Sequence, residues 1–414
     1  MSSVITKISP NYRGLARIKR QLEFSLREND ELLSRLVATR AASPADGTDT
    51  VQDDGSSPEV CVVVPVYNTA PYLRSCLDAL RAQTLSNIEI LCVDDGSTDD
   101  SLAILNEYAA LDPRIRVLQQ PHLGVSVARN AALSEARAPF LMSCDSDDWF
   151  SPDMCRVMLE TLRREDVDVV ICGMNVIYDV PEKLRENVVE YLRLKYFGRQ
   201  EITQELVLVT DVSLCNKIYK RSIVVEHDID FPVGLLFEDA YFNDAYMTAS
   251  QTMYFLHLPL YNYLRHDASV MSTSYKKSGT SLDYLQIAFK TWAYLEREGL
   301  LDAYAEYYWR RFLQYATFAF KHLTGPEQAR AKQLARAFAR EHRASLAKAS
   351  FKTRSSVRIL LYGRFKLLHA VYRLPKWLYA RLSVSRALRL EITALMEQNM
   401  GLEAQIKELL REDD

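Results

Sequence analysis

The chain has 414 residues, a formal net charge of −3 at pH 7 and 48% hydrophobic residues, and this length allows two to three domains. With 25% charged residues, the composition is typical of a soluble globular protein and excludes a largely disordered chain. The first residues, MSSVITKISPNYRGL, lack the hydrophobic core of a signal peptide. No apolar run approaches the ~20 residues that a membrane-spanning helix needs, so we expect a cytoplasmic protein.

The N-terminal segment combines a helix and a linker. Apolar residues at three- and four-residue spacing predict a helix over 12–38, and we assign residues 1–41 to an N-terminal helix. Residues 42–58 are rich in Ser, Asp, Gly and Pro, which is typical of a linker.

A main domain with alternating strands and helices begins at Glu59. The predicted strands are 60–66, 88–93, 115–118, 139–143 and 168–173. The predicted helices between them are 71–83, a helix capped by Ser97 or Thr98, 124–136 and 152–164. This order predicts an α/β fold with a doubly wound, mostly parallel central sheet and right-handed crossovers.

The alternation weakens after about residue 175. Helices are predicted near 202–209 and 238–249, short strands near 252–264, and a helical pattern from 280 to 345. We therefore divide the main domain, 59–275, into halves at 59–175 and 176–275, followed by a helical region at 276–347.

The C-terminal part of the chain is strongly basic. Residues 348–389 hold eleven Lys/Arg and no Asp/Glu, and subtracting this +11 from −3 leaves −14 for the remainder. Tyr372, Trp377 and several Leu accompany the charge, so 348–385 is predicted to be a basic amphipathic segment. Two interpretations stay open: peripheral docking on an anionic inner-leaflet membrane surface, or packing against the acidic main domain. Since no RNA-binding signature accompanies the charge, we expect no nucleic-acid partner.

The last segment, 386–414, is predicted to be a coiled-coil helix. Residues from Leu388 to Leu409 keep a 4/3 apolar spacing, with Asn399 at an a-type position. An Asn there favours a parallel homodimer, and pairing with the helix at 12–38 of the same chain is the alternative.

The seven cysteines form no CxxC pair and mostly lie in apolar, strand-like runs. We interpret them as reduced core residues and expect no zinc site.

Carboxylates stand where predicted strands end, first at Asp94 and Asp95 and then at 145–148. In open α/β sheets, ligands bind at this edge. Alternation along an extended segment would place Asp145 and Asp147 on one side, where their repulsion favours a bound cation. Hard oxygen ligands suit Mg²⁺ or Mn²⁺, whose coordination is usually completed by substrate phosphates.

The ordered set of motifs resembles the family 2 glycosyltransferases of the GT-A fold, of the bacterial surface-polysaccharide type. The resemblance covers residues 60–149 and 214–270. The segments that carry it are VVVPVYN (62–68), AQT (82–84), IEILCVDDGSTDDS (88–101), GVSVARNAAL (124–133), SCDSDDW (143–149), CNKIYKRS (215–222), FEDAYFN (237–243) and YNYLRHDASVMS (261–272).

The resemblance implies donor-binding and metal-binding residues. The implied donor-binding residues are Pro65, Tyr67 and Asn68 at the base, Asp95 at a uracil-type imide N–H, Asp145 at the ribose, and Arg129 and Lys217. The implied metal ligands are Asp147, Asp145 and His266.

Three of these roles stay open. Arg129 either pairs with the strand-end acids or faces the nucleotide. Lys217 either meets the diphosphate or braces the acceptor side. His266 is either a metal ligand or an ordinary hydrogen-bonded histidine.

Asp239 is the implied general base, because a sugar hydroxyl is a poor nucleophile until a carboxylate takes its proton. The implied reaction is a one-step displacement with inversion. The enzyme would be a metal-dependent hexosyltransferase that uses a nucleotide-sugar donor, UDP-type, and a glycan or lipid-linked acceptor. The alternative is a catalytically inactive GT-A scaffold that associates through its terminal helices, and the joint presence of Asp95, Asp147 and Asp239 argues against it.

Overall fold

The computed structural model describes residues 57–178, 187–189, 196–266 and 280–361. The predictions for the N-terminal helix, nearly all of the linker, the coiled coil and the basic segment beyond residue 361 lie outside these residues.

The first half of the sheet is a set of parallel strands joined by helices. Its elements are β1 (Val60–Val66), α1 (Ala70–Arg81), β2 (Ile88–Asp94), α2 (Ser101–Leu111), β3 (Ile115–Gln119), α3 (Val125–Glu135) and β4 (Phe140–Ser143). β1 pairs in parallel with β2 and β4, and β2 pairs in parallel with β3. β1 lies between β2 and β4 in the sheet, and both of its faces are covered. Its continuous Val-rich run is therefore buried almost throughout.

The second half adds the strands that complete the edge of the sheet. Its elements are β5 (Trp149–Phe150), α4 (Met154–Glu165), β6 (Val169–Tyr178), β7 (Asn187–Val189), β8 (Gly198–Glu201), α5 (Gln204–Val209), β9 (Lys217–Lys220), α6 (Arg221–Glu226), α7 (Glu238–Ala249) and β10 (Thr252–Arg265). The strand order is β3-β2-β1-β4-β9-β6-β10-β5, with β7 beside β6 and β8 beside β10. β9 is antiparallel to β4 and β6, whereas β6 and β10 are parallel. The longer strands therefore form the mostly parallel sheet that the sequence predicts.

One long strand, β10, replaces the short strands predicted near 252–264. Its register against β6 shifts between Leu256 and Pro259 and again before Tyr261. Since Pro259 has no N–H for the ladder, the irregularity lets the strand continue instead of ending. The continuation carries Tyr261 and the residues after it toward the acidic turn that follows β4.

Helix α2 begins later than predicted and is not capped by Ser97 or Thr98. Its N-cap position is Asp100, and no side chain makes a capping hydrogen bond there. The carboxylate of Asp99 instead accepts from the backbone N–H of Ser101 at 2.9 Å and from the first residue of α1 at 3.1 Å. Asp99 therefore ties the starts of α1 and α2 together.

Four helices and a 3₁₀ turn follow the sheet. They are α8 (Thr280–Arg297), α9 (Leu301–His322), α10 (Gly325–Glu341), the turn Arg343–Lys348 and α11 (Phe351–Leu361). Aromatic rings form their core, and Phe312 lies 5.5 Å from Trp309 and 5.3 Å from Phe338 between ring centroids. α8 packs on α7, so the helical region rests directly on the sheet domain. Within the described ranges, no helix is both long and apolar enough to cross a bilayer.

All seven cysteines are buried and free, which confirms their interpretation as reduced core residues. The Cys76 and Cys144 sulfurs lie 3.8 Å apart, in contact as thiols.

Candidate active site

The end of β1 forms a rigid turn with an exposed aromatic ring. Pro65 lies in β1 opposite Val93, and Tyr67, just past the strand, is 42% exposed. Asn68 adopts a left-handed backbone with φ of 52°, and its side-chain oxygen accepts from the backbone N–H of Thr98 at 2.7 Å. The turn after β1 and the loop after β2 therefore support one another.

Asp95 follows β2, and its carboxylate is almost fully enclosed by donors. The backbone N–H groups of Leu123 and Gly124 donate to it at 2.8 and 3.0 Å. Gln120 Nε2 and His122 Nδ1 lie 2.6 and 2.8 Å from its two oxygens. Because an ionised carboxylate only accepts hydrogen bonds, Nδ1 of His122 carries the proton.

The acidic motif after β4 is a turn, and the extended conformation predicted for it is wrong. The backbone N–H of Asp148 donates to the carbonyl of Asp145 at 3.0 Å, which closes the turn. Strand alternation therefore does not place Asp145 and Asp147 on one side. The charge of Asp145 nevertheless acts on Asp147. Burial first, and this charge second, raise the pKa of Asp147.

Arg129 joins two of the acidic motifs. Its guanidinium, 8% exposed, donates to Asp145 at 3.1 Å and to Glu238 at the first residue of α7. The ring of Phe231 lies 5.5 Å from the guanidinium carbon. Of the two roles left open by the sequence, the structure shows the pairing with acids. This arginine holds the turn after β4 against the start of α7.

His266 lies against the acidic turn. Its Nε2 is 2.9 Å from a carboxylate oxygen of Asp147, and its ring packs on Tyr72 with centroids 4.3 Å apart. The end of β10 and the start of α1 therefore both support the side of the turn that carries Asp147.

Asp148 anchors the same turn to β10. Tyr261 donates its hydroxyl to one carboxylate oxygen at 2.5 Å, and the backbone N–H of Leu264 donates to the other at 2.7 Å. Burial, followed by the charges of Asp147 and Asp145, raises the pKa of Asp148. Its hydrogen bonds point into the protein, so Asp148 orients the turn.

Asp239 stands in the first turn of α7, beside the pair of Glu238 and Arg129. Burial and then the charge of Glu238 raise the pKa of Asp239 to about 7, against the lowering effect of Arg129. A carboxylate of this kind gains and loses its proton near neutral pH, as a general base must.

Lys217 does not present its ammonium group to a ligand. The side chain is fully buried, and it donates to the carbonyl oxygens of Asp211, at 2.8 Å, and Ser213, and to Asn216 Oδ1 at 3.0 Å. All three N–H bonds are thereby used, and burial lowers the pKa of Lys217. The diphosphate contact expected for Lys217 does not fit this arrangement, whereas bracing of the 211–216 loop does.

The three strand-end loops meet at one edge. The hydroxyl of Thr69, after β1, donates to Ser146 in the acidic turn at 2.9 Å. The backbone N–H of Thr69 donates to Ser101, at the start of α2, at 3.0 Å. With Arg129 bridging the acidic turn to α7, the loops after β1, β2 and β4 and the start of α7 form one connected site.

Sequence reasoning missed four residues of this site. They are Gln120 and His122 at Asp95, Tyr261 at Asp148, and Glu238 at Arg129. His122 also stacks on Tyr67, with ring centroids 3.9 Å apart and planes 15° apart. The only sequence signal for His122 is its place between β3 and the Gly that opens α3.

Side chains beside the turn have the ligand types of a divalent-cation site. Asp145 and Asp147 supply hard oxygen atoms, and His266 supplies an imidazole nitrogen next to them. Among the described residues, no group of three or more His, Cys, Asp and Glu side chains is gathered at ligating distances.

Comparison with known proteins assigns the family. Residues 61–227 match the family model described as Glycosyl transferase family 2. EpsH of Bacillus subtilis (strain 168) is 35% identical over 249 residues, which make up 56% of this chain and 69% of EpsH. The glycosyltransferase GlyG of Streptococcus pneumoniae serotype 4 is 30% identical over 233 residues, 53% of this chain and 75% of GlyG. The chain belongs to glycosyl transferase family 2.

Solved structures show the same fold. S. aureus TarS 1–349 in complex with UDP-GlcNAc matches with a TM-score of 0.62 at 21% identity, over 77% of this chain and 92% of that chain. The TarS complex with UDP matches with a TM-score of 0.59 at 20% identity, over 79% and 94% of the two chains. The predicted GT-A type of α/β fold with a helical C-terminal region is confirmed for the described residues.

Proposed function

We propose that the protein transfers a sugar from a UDP-type nucleotide-sugar donor to a hydroxyl group of a glycan or lipid-linked acceptor, with inversion at the anomeric carbon. One observation carries the proposal: Arg129 draws the acidic turn at Asp145 and the start of α7 together, and α7 presents a carboxylate, Asp239, whose pKa is about 7.

Asp239 is the general base of the proposed reaction. Near neutral pH it accepts the proton of the acceptor hydroxyl while that oxygen attacks the anomeric carbon. One carboxylate suffices for this step, because a direct displacement forms no glycosyl-enzyme intermediate. The product then has the opposite anomeric configuration to the donor.

Asp145, Asp147 and His266 would hold the Mg²⁺ or Mn²⁺ ion. When bound, the cation supplies Lewis-acid neutralisation of the diphosphate leaving group. Arg129 keeps Asp145 in place, and Asp148 keeps the turn in place through Tyr261.

Tyr67, Asn68 and Asp95 form the proposed base subsite, at the ends of β1 and β2. Their position on the same edge as the acidic turn lets one nucleotide reach from the base subsite to the cation. That TarS was solved with UDP-GlcNAc and with UDP supports a UDP-type donor for a chain of the same fold.

A donor panel tests this function. The chain is incubated with UDP-, GDP-, CDP- and dTDP-sugars plus Mn²⁺, and released nucleotide is measured with and without a mixed glycan acceptor pool. We expect release from a UDP-sugar that increases with acceptor, and NMR of the product shows inverted anomeric configuration. No release from any donor would instead favour the inactive scaffold, and a retained configuration would contradict the role of Asp239.

The helical region offers a surface for the peripheral membrane location. Seven Lys/Arg side chains of 321–361 are exposed, and Glu341 is the one exposed acid in that range of the described chain. The cations are Lys321, Arg330, Arg340, Arg343, Lys348, Lys352 and Arg358, of which Lys348 pairs with the exposed Asp302 of α9 at 3.5 Å. Such a surface is attracted to anionic lipid by roughly 1 kcal/mol per basic residue near the membrane. We propose that it holds the site close to lipid-linked acceptors at the cytoplasmic face. The homodimer stays a prediction of the coiled-coil pattern.

A further inference from the structure

The aromatic ring next to the proposed base subsite is already occupied by a side chain of the protein. His122 stacks on Tyr67 with centroids 3.9 Å apart and planes 15° apart. Both residues are exposed, with the His122 side chain at 55% and Tyr67 at 42%. Neither ring is needed to fill the core, so their contact is a feature of the surface at the end of β1.

The imidazole of His122 also hydrogen-bonds to the Asp95 carboxylate, the acceptor that a nucleotide base would need. Asp95 receives the backbone N–H groups of Leu123 and Gly124 and the side chains of Gln120 and His122. A carboxylate offers about four lone-pair sites, so these donors fill it. An incoming imide N–H can reach Asp95 only if one donor leaves. The two backbone donors are fixed by the chain, and His122 is the more exposed of the two side chains.

The stack on Tyr67 and the hydrogen bond to Asp95 together resemble the contacts expected of a nucleotide base. Its ring is planar, lies parallel to Tyr67 and donates one N–H, from Nδ1, to Asp95 at 2.8 Å. A pyrimidine with an imide N–H presents the same combination, an aromatic face for Tyr67 and a ring N–H for the carboxylate.

We propose that His122 occupies the base subsite of the donor-free protein and is displaced by a uracil-type base, so that His122 lowers donor affinity while Asp95 selects a base with a ring N–H. The proposal rests on the proposed function, because it assumes a nucleotide donor at this edge. A base that replaces the imidazole must bring its own N–H to Asp95. Uracil does so, whereas cytosine would direct the lone pair of its ring nitrogen at the carboxylate, which is repulsive.

Calorimetric titration of the full chain with UDP and with CDP, in the presence of Mn²⁺, tests the exchange. Removing the competing ring by His122→Ala relieves UDP of the cost of breaking one hydrogen bond and one stack. We expect UDP to bind about three- to tenfold more tightly to this variant, as loss of one such net contact predicts. We expect CDP to bind weakly to both the wild type and His122→Ala.

The chain offers a matched control. His227 Nδ1 also lies 2.8 Å from a carboxylate oxygen, that of Glu298, and neither residue belongs to the proposed base subsite. His227→Ala should leave the UDP affinity unchanged. Gln120→Ala should not tighten UDP binding, because the proposal keeps Gln120 on Asp95 in both states. The melting temperature of each variant shows whether it is folded.

Ring resonances give a second readout that needs no variant. The imidazole signals of His122 shift on addition of UDP as the ring leaves Tyr67, and CDP at the same concentration leaves them in place. Weaker or unchanged UDP binding by a folded His122→Ala protein overturns the inference while the proposed function stands. If the wild-type chain binds no nucleotide at all, the inference and the proposed function fail together.

Discussion

The guanidinium of Arg129, in α3, lies 3.1 Å from a carboxylate oxygen of Asp145, in the turn after β4. The same group donates to Glu238, which is 109 residues further along the chain. Burial lowers the pKa of this arginine, whose side chain is 8% exposed, and the charges of Glu238 and Asp145 more than offset that effect and raise it. The geometry of the proposed active site therefore depends on one buried cation.

Replacing Arg129 by Met should destabilise the fold and disorganise the site. The substitution leaves Glu238 as a buried carboxylate without its cation, at a cost of about 3 kcal/mol in the free energy of unfolding. Denaturant unfolding measures the loss, and nucleotide release should fall in parallel even at temperatures where the variant is folded.

Arg74→Met is the matched control, because Arg74 also pairs with a carboxylate, Glu107 at 2.7 Å, but about half of each side chain is exposed. Exposed pairs contribute little, so its unfolding midpoint should stay close to that of the wild type. An equal loss of stability in the two variants would contradict the structural role of Arg129.

The transfer rate should rise with pH through about 7. Asp239 acts as a base only when ionised, and its raised pKa keeps it protonated in mildly acidic solution. The profile of kcat/KM should therefore have an ascending limb near this pH, and Asp239→Asn should lack it. An ascending limb that persists in Asp239→Asn would assign the titration to another group.

Asp239→Asn should also be more stable than the wild type at alkaline pH. The folded protein holds the Asp239 proton more tightly than the unfolded chain, whose carboxyl has a pKa of about 3.8. The unfolded state therefore binds fewer protons between these pKa values, and stability falls as the pH rises through this window. Thermal unfolding should show a higher Tm for Asp239→Asn at pH 8, with the difference shrinking toward about pH 4. An unchanged Tm at pH 8 would mean that the carboxylate is not destabilised by its surroundings.

Activity should require a divalent cation held by the acidic turn. EDTA should abolish nucleotide release and Mn²⁺ should restore it, and Asp147→Asn should weaken Mn²⁺ binding by calorimetry at least about tenfold. Asp99→Asn serves as the control, because Asp99 accepts from backbone N–H groups at the starts of α1 and α2. Equal Mn²⁺ affinities for the two variants would remove Asp147 from the ligand set.

Charge reversal on the helical region should reduce membrane binding. Arg340, Arg343 and Lys348 are exposed, so their joint replacement by Glu should lower co-sedimentation with anionic vesicles more than tenfold, at roughly 1 kcal/mol per basic residue lost from the membrane surface. Point substitutions are preferable to deletion of 348–414, which would remove the buried side chains of Val357 and Leu360.

Reversal of three exposed cations in the sheet domain provides the comparison: Arg74, Arg137 and Arg163. This variant has the same net charge and should bind the vesicles like the wild type. If both variants lose binding equally, total charge and not the helical surface controls attraction to the membrane.

The regular elements were predictable because their signals are local. The apolar, β-branched run at 60–66 has the bounds of β1, and the pattern at 238–249 has those of α7. A parallel strand that is covered on both faces requires a continuous apolar run. Such a run therefore predicts the strand without information from distant residues.

The contacts of the site were not predictable in the same way. Asp148 and Tyr261 are 113 residues apart, and the sequence holds no mark that pairs them. The sequence predicts an extended segment at 145–148 instead of the observed turn, because the residue types do not reveal the closing hydrogen bond from Asp148 N–H to the Asp145 carbonyl. The motif leaves Lys217 either at the diphosphate or on the acceptor side, and only the fold shows that its ammonium group is used within the 211–216 loop.

The role of Asp239 as general base is tested most sharply by the rate of UDP release from a UDP-sugar, with acceptor, by the wild type and by Asp239→Asn at saturating donor and Mn²⁺. We expect a fall in kcat of about 10²- to 10⁴-fold with an unchanged Kd for UDP, as loss of a general base requires. Equal rates for the two proteins would contradict this role.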